Sequence, residues 1–266
     1  MDSFISWIGG KNSLKRLIAE KIPPNLDRYV EVFGGAAWVL FYKDRYATTD
    51  IYNDYNSALT NLFRCVKYHV QELQRELMWV LNSRQVFEDY RAQMLMPGMT
   101  DIQKAARFFL LIRLSYGSNG HNYGCVKKDV LKMCDYLAQV QTRLSSVIIE
   151  NRDFETLIKI YDRPETIFYL DPPYYGTEKY YSVEFGNEDH LRLKNCLANI
   201  KGRFLLSYND CSEVRELYDG FIIENVSRPH NLLARYNPQE EFMELLIRNY
   251  DYESEEASLG SLFEFD

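Results

Sequence analysis

The chain predicts an α/β fold in which a sheet covered on both faces is interrupted by a mostly helical insert, and three stretches carry that reading. Ile167-Phe168-Tyr169-Leu170 is an apolar and aromatic run bounded by turn signals, the pattern of a strand buried on both faces. Tyr29-Val30-Glu31-Val32 reads as another strand and leads into Phe33-Gly34-Gly35-Ala36-Ala37, with a helical run through Trp38, Leu40 and Phe41. Strand, glycine turn and helix is how a mononucleotide-binding unit opens. From roughly residue 67 to 145 the apolar spacing becomes helical, and the strand rhythm resumes afterwards.

Taken in order, Trp7-Ile8-Gly9-Gly10-Lys11 precedes an amphipathic helix with Leu14, Leu17 and Ile18 on one side, ended by Pro23 and Pro24. The paired glycines let backbone approach a ligand, and Lys11 places a cation beside free amide donors. A strand around Ala47 to Ile51 carries Asp50 near its end, with Asn53 and Asp54 just beyond. A carboxylate at that strand tip suits ribose hydroxyls. Asp50 is the first choice; Asp54 is its rival, with capping of the next helix as its competing role. That helix buries Leu59, Leu62, Phe63 and Val66.

Within the insert, Leu73 and Leu77, then Phe108, Leu111 and Ile112, then Leu131, Cys134, Leu137 and Leu144 form core-facing stripes, and Met94 to Met99 is a loop. Arg113 to Gly124 alternates glycine with aromatic, amide and basic side chains, a composition suited to phosphates or to filling a vacated base position. Val147 to Ile149, Arg203 to Ser207, Phe221 to Val226 and Phe242 to Ile247 are the remaining strands, and Phe154 to Ile160 and the segment after Glu188 are helices. The loop from Ser227 to Glu240 carries Arg228, His230, Asn231 and Arg235 as further contacts to a substrate strand.

Composition bounds the function. No apolar run approaches the roughly 18 residues of a membrane span, and no basic-then-apolar leader opens the chain, so a soluble cytoplasmic protein is expected. Five cysteines without paired spacing offer neither a disulfide framework nor a zinc site. The net charge of −7 is concentrated at the end. Residues 251 to 266 hold six acidic residues and no Lys or Arg, leaving 31 basic against 32 acidic in the body. That tail reads as disordered. Residues 101 to 145 hold seven basic residues (Lys104, Arg107, Arg113, Lys127, Lys128, Lys132, Arg143) against three acidic ones, a phosphate-facing surface in prospect.

The chemistry centres on Asp171-Pro172-Pro173-Tyr174. Neither proline has an N–H to extend a ladder, so the Asp171 carboxylate, nearby carbonyls and the Tyr174 ring stand at the carboxyl edge of the sheet, where open α/β sheets bind ligands. An exocyclic amine such as adenine N6 is a poor nucleophile because its lone pair is delocalised. Two acceptors for its N–H groups, Asp171 and the Pro172 carbonyl, would free that lone pair, while Tyr174 could stack on the base.

Asp-Pro-Pro-Tyr after an apolar strand resembles the catalytic motif of amino-methyltransferases that methylate adenine N6 in DNA. The order of parts over most of residues 4 to 250 resembles their Dam-like, or alpha, group. The resemblance implies a Rossmann-like S-adenosylmethionine-dependent methyltransferase sheet with a helical target-recognition insert. The catalytic domain would span residues 1–66 and 146–250 and the insert 67–145. It implies catalysis by Asp171, Pro172, Pro173 and Tyr174, and an S-adenosyl-L-methionine pocket of Trp7, Gly9, Gly10, Lys11, Phe33, Gly34, Gly35, Asp50 and Asp171. Ala37 stands where the family's Phe-x-Gly-x-Gly pattern has its last glycine. Arg113, Tyr116 and Asn119 match the family's DNA-contacting segment approximately.

Double-stranded DNA with a flipped-out adenine is then the substrate, no metal takes part, and a cognate restriction enzyme is a candidate partner in a bacterial or phage-infected cell. Cytosine C5 chemistry is disfavoured, because none of Cys65, Cys125, Cys134, Cys196 or Cys211 follows a proline. The competing readings are methylation of RNA adenine or a protein amide, and a silent DNA-binding module of the same fold.

Overall fold

The computed structural model describes residues 1–125, 128–177, 185–229 and 241–252. Among them seven strands form one sheet in the order β3-β2-β1-β4-β5-β7-β6. The strands are β1 (Leu26–Glu31), β2 (Ala47–Asn53), β3 (Val147–Glu150), β4 (Thr166–Leu170), β5 (Arg203–Asn209), β6 (Ile222–Pro229) and β7 (Glu241–Arg248). β3, β2, β1, β4 and β5 run parallel. β7 is antiparallel to both β5 and β6. The order reverses between β1 and β4, so the chain departs to opposite sides after these two strands and leaves a crevice beyond their carboxyl ends.

Alternation along the strands fills both faces. Tyr29, Tyr52, Ile167, Tyr169, Leu205 and Leu246 face one core; Val30, Ile51, Phe168, Leu170, Phe204, Leu206, Leu245 and Ile247 face the other. On the second face lie α7 (Phe154–Tyr161), α8 (Asn187–Leu197) and α9 (Ser212–Leu217). On the first lie α1 (Lys15–Glu20), α2 (Ser57–Tyr68) and the helices α3 (Val70–Leu77), α4 (Arg84–Gln93), α5 (Asp101–Leu114) and α6 (Val130–Leu144). α2 packs on α5 and α6. Phe4 joins the two regions, 5.0 Å from the Phe63 ring on α2 and 6.3 Å from Phe109 on α5. The inserted helices thus share an apolar core with the sheet.

Three expectations need correction. The run through Trp38, Leu40 and Phe41 is a series of turns, because Gly35 and Ala37 both take left-handed backbone, φ 49° and 56°, which a right-handed helix cannot continue through. Leu131 is exposed, and Val130 and Met133 supply the buried contacts of α6 instead. The basic excess of residues 101 to 145 is partly internal: Arg107 pairs with Glu76, and Arg143 with Asp50. The loop residues His230, Asn231 and Arg235, the Arg228 side chain and the tail beyond Tyr252 lie outside the described residues.

Arg143 and Asp50 tie α6 to β2. Their side chains are 5% and 2% exposed, with Nη2 donating to Asp50 Oδ2 at 2.6 Å. Arg143 also donates to the carbonyls of Leu40 and Lys43, and Asp50 accepts from the Ala47 amide. Removing one partner strands a buried charge. Arg143→Met should therefore cost about 3–5 kcal/mol in urea unfolding, and a loss below about 1 kcal/mol, the value of an exposed pair, would contradict this assignment.

Candidate active site

The crevice at the reversal of strand order opens into a cavity of about 640 Å³, within the range of roughly 300–1,000 Å³ usual for ligand pockets. Five segments wall it: the N-terminal turn Trp7 to Lys11, the end of β1 from Glu31 to Gly35, the tip of β2 from Asn53 to Asn56, the tip of β3 from Arg152 to Phe154, and Asp171 and Pro173 after β4. Ile112, Ser118, Asn119 and His121 close it from the side of α5.

Lys11 and Asp171 meet at the centre. The Lys11 ammonium, 3% exposed, donates to both carboxylate oxygens of Asp171, at 2.6 and 2.8 Å, and to the Gly9 carbonyl at 3.0 Å. All three N–H donors are thereby directed. The Ser207 hydroxyl on β5 adds a longer contact to Asp171 at 3.3 Å. Burial pushes the Asp171 carboxyl above the usual carboxylate range, and the Lys11 ammonium holds the rise in check.

The glycine turn is shaped by contact rather than by flexibility alone. A Cβ on Gly34 would stand 2.2 Å from the Tyr52 ring, and the Gly34 amide donates to the Asn53 carbonyl at 2.7 Å. Gly35, at φ +49°, faces Trp7, whose ring a Cβ there would meet at 3.0 Å. The turn is therefore pinned to the tip of β2 on one side and to the N-terminal turn on the other.

Asp54 is the acidic residue at the tip of β2. β2 runs to Asn53, three residues past the Asp50 that was expected to end it. Asn53 can extend the strand because its side chain is satisfied internally, donating to the Val32 and Arg152 carbonyls and accepting from the Arg152 amide. Asp50 is thus left mid-strand, bound to Arg143 and outside the cavity wall. Asp54, by contrast, lines the cavity, accepts from the Gly35 and Asn56 amides at 2.8 Å each, and keeps two acceptor positions. The helix cap foreseen for Asp54 is supplied by Asn56, which accepts from the Leu59 amide.

Of the other expected site residues, Trp7, Gly9, Gly10, Lys11, Phe33, Gly34, Gly35, Asp171 and Pro173 line the cavity. Pro172 and Tyr174 are buried and do not line it. The Tyr174 ring lies beneath the Lys11 ammonium, 4.8 Å from its centroid, and its hydroxyl donates to Glu244 at 2.8 Å. A base stacked on this ring is not what this arrangement presents. Asn119 lines the cavity and Tyr116 is exposed, whereas Arg113 is half-buried with Nε 2.9 Å from Met133 Sδ, away from the cavity.

Sequence reading passed over several groups. Phe154 and Phe185 cluster with the expected Phe33 at 5.7 to 5.9 Å and form an aromatic wall with it. Beside it Asp153 caps α7 and is held by Arg192. Asp153 was legible as an acidic residue just past a strand, the same signal as Asp54. Glu31, 2% exposed, accepts from the Tyr29 hydroxyl and the Leu40 amide. Burial raises its pKa from 4.5 to about 8, against the pull of those hydrogen bonds. Among the described residues no cluster of His, Cys, Asp and Glu is placed to hold a metal ion, and no helix is long and apolar enough to cross a membrane.

The crevice lies at the switch point of the parallel sheet, where open α/β sheets take ligands, walled by aromatic rings and acidic strand tips and ending on the half-buried Asp171 carboxylate. The family model for the D12 class N6 adenine-specific DNA methyltransferase matches residues 7–232, and the chain belongs to this family. It is an enzyme that methylates DNA adenine at N6. The chain is similar to the type II methyltransferase M1.LlaDCHI of Lactococcus lactis subsp. cremoris, 26% identical with 93% of this chain and 95% of that protein covered. It is also similar to the type II methyltransferase M.CviBI of Paramecium bursaria Chlorella virus NC1A, 23% identical over 94% of this chain and all of that protein (100%). Among solved structures, the rRNA methyltransferase aviRa from Streptomyces viridochromogenes gives a TM-score of 0.39 at 12% identity, covering 90% of this chain and 85% of that one.

The Glu31 carboxyl makes a pH prediction. Its folded pKa lies above its unfolded one, so its contribution to stability is complete below about pH 4.5 and is lost as pH rises towards 8. Glu31→Gln should flatten the decline in melting temperature across that window. An unchanged slope would show that Glu31 titrates normally.

Proposed function

We propose that the cavity binds S-adenosyl-L-methionine and that Asp171 and its turn receive an adenine flipped out of a specific DNA site. The observation that carries this reading is the pair of buried Lys11 and half-buried Asp171 at the meeting of the β1 and β4 ends. The donor set fits the cofactor in kind: aromatic rings at Phe33, Phe154 and Phe185 suit a base, Asp54 suits ribose hydroxyls, and Glu31, Lys11 and Asp171 suit the charged methionine end. S-adenosyl-L-methionine supplies an electrophilic methyl group on a sulfonium.

The protein's part is orientation and electrostatics. Asp171, and a carbonyl of its turn, accept the two N6–H bonds, so the nitrogen lone pair becomes available to the methyl carbon. Lys11 holds the carboxylate in place and favours its charged form. As the new N–C bond forms, the amine gains positive charge, which Asp171 stabilises until the proton leaves. Asn119 and the turn after α5 face the same cavity, which supports target recognition by residues 67–145. The type II description of the relatives supports a cytoplasmic modification enzyme with a cognate restriction enzyme as partner.

Two substitutions test this. Asp171→Ala should abolish methyl transfer to DNA, read as N6-methyladenine by nucleoside mass spectrometry, in a protein that melts cooperatively; unimpaired turnover would remove the proposed role. Asp54→Ala should weaken S-adenosylmethionine binding about 10- to 100-fold in calorimetry, the loss of one or two charge-assisted hydrogen bonds. Unchanged affinity would move the ribose elsewhere.

A further inference from the structure

The Asp171-Pro172-Pro173-Tyr174 turn has a mechanical problem. Its two prolines have no N–H, so the backbone ladder that would hold a chain beside β5 is missing where the geometry matters most. Side chains of the neighbouring strands take over. On β5, Asn209 accepts from the Tyr175 amide and donates to the Tyr175 carbonyl, both at 3.1 Å. Directly opposite Asn209 in the β5–β7 register stands Glu244. Glu244 Oε2 accepts from the Tyr174 hydroxyl at 2.8 Å. One cross-strand pair therefore grips two successive residues of the turn.

Glu244 is an expensive residue to keep there. It is 0% exposed, in the middle of a sheet whose adjacent β7 residues Leu245, Leu246 and Ile247 are also fully buried. A buried carboxylate costs several kcal/mol relative to an apolar side chain unless hydrogen bonds and charge compensate. What an apolar side chain could not do is accept the Tyr174 hydroxyl. The ring so held lies under the Lys11 ammonium and 5.9 Å from the Tyr208 ring.

We propose that Glu244 is a positioning residue of the methyl transfer, holding Tyr174 by its hydroxyl and thereby fixing the turn that presents Asp171 and the Pro172 carbonyl. The assignment rests on the reading of Asp171 given under the proposed function. Glu244 does not line the cavity; it acts through Tyr174. It also belongs to the electrostatic surroundings of Asp171, which among the described residues include Lys11 from the N-terminal turn, Glu31 from β1, Tyr169 from β4, the Ser207 hydroxyl from β5 and Glu244 from β7. Glu244 raises the proton affinity of Asp171, while Lys11 and the Ser207 hydrogen bond lower it.

Steady-state methylation of DNA by the full chain, with Tyr174→Phe, Glu244→Ala, Glu244→Gln and the double variant Tyr174→Phe/Glu244→Ala, tests the proposal. Tyr174→Phe and Glu244→Ala should each lower kcat about tenfold or more, as expected for a lost hydrogen bond to a charged group, with KM for S-adenosylmethionine within about twofold. The double variant should be no worse than the poorer single, because both remove one contact. Glu244→Gln keeps an acceptor and should recover most of kcat. Its acid limb should move to lower pH, since removing the negative charge makes Asp171 a stronger acid.

A folded Glu244→Ala protein with kcat near wild type, or losses that multiply in the double variant, would overturn the proposal. Should Glu244→Ala fail to fold, Tyr174→Phe decides, and full kcat there overturns it. An inactive wild-type protein would instead defeat the reading of Asp171, a result distinct from any of these.

Discussion

Lys11 and Asp171 lie 160 positions apart in the chain, and their contact closes the site. Neither charge could be buried alone, since desolvating an isolated ammonium or carboxylate costs several kcal/mol. Together, with the Gly9 carbonyl as a further acceptor, they form a compact neutral pair with every ammonium donor used. The pairing draws the N-terminal turn over the end of β4, and Trp7 comes with it. Trp7 then stands between Gly35 and the Phe108 ring, 6.0 Å away on α5. The glycine turn, the Asp171 carboxylate and the helices packed on α2 are thus brought to one cavity by one ion pair.

Glu31 and Glu244 are both buried near Asp171, each on a different strand, and among the described residues Lys11 is the ammonium that contacts Asp171. Burial lifts Asp171 and Glu31 towards protonation. Lys11 opposes that shift at Asp171, so holding the ammonium closely favours the charged carboxylate, the better acceptor of an N–H bond.

Much of this was legible in the chain. The strands were marked by apolar runs, and the switch-point crevice followed from the glycine turn after β1 and the prolines after β4. What misled was polar chemistry hidden inside the fold. Asn53 reads as loop, yet it lies in a strand because its amide is fully bonded internally, and that shift of three residues moved the acidic tip from Asp50 to Asp54. Arg143 reads as a surface cation, yet it neutralises Asp50 in the interior. Trp38, Leu40 and Phe41 read as a helix, but local propensity is weak beside the contacts that hold Gly35 and Ala37 left-handed. Glu244 carried no sequence signal, since its partner Tyr174 is 70 positions away.

The most direct measurement is incubation of the purified protein with S-adenosylmethionine and unmethylated genomic DNA, followed by nucleoside mass spectrometry and modification-sensitive sequencing. The account predicts new N6-methyladenine confined to one short sequence. A protein that binds S-adenosylmethionine yet leaves DNA adenine unmodified would contradict it.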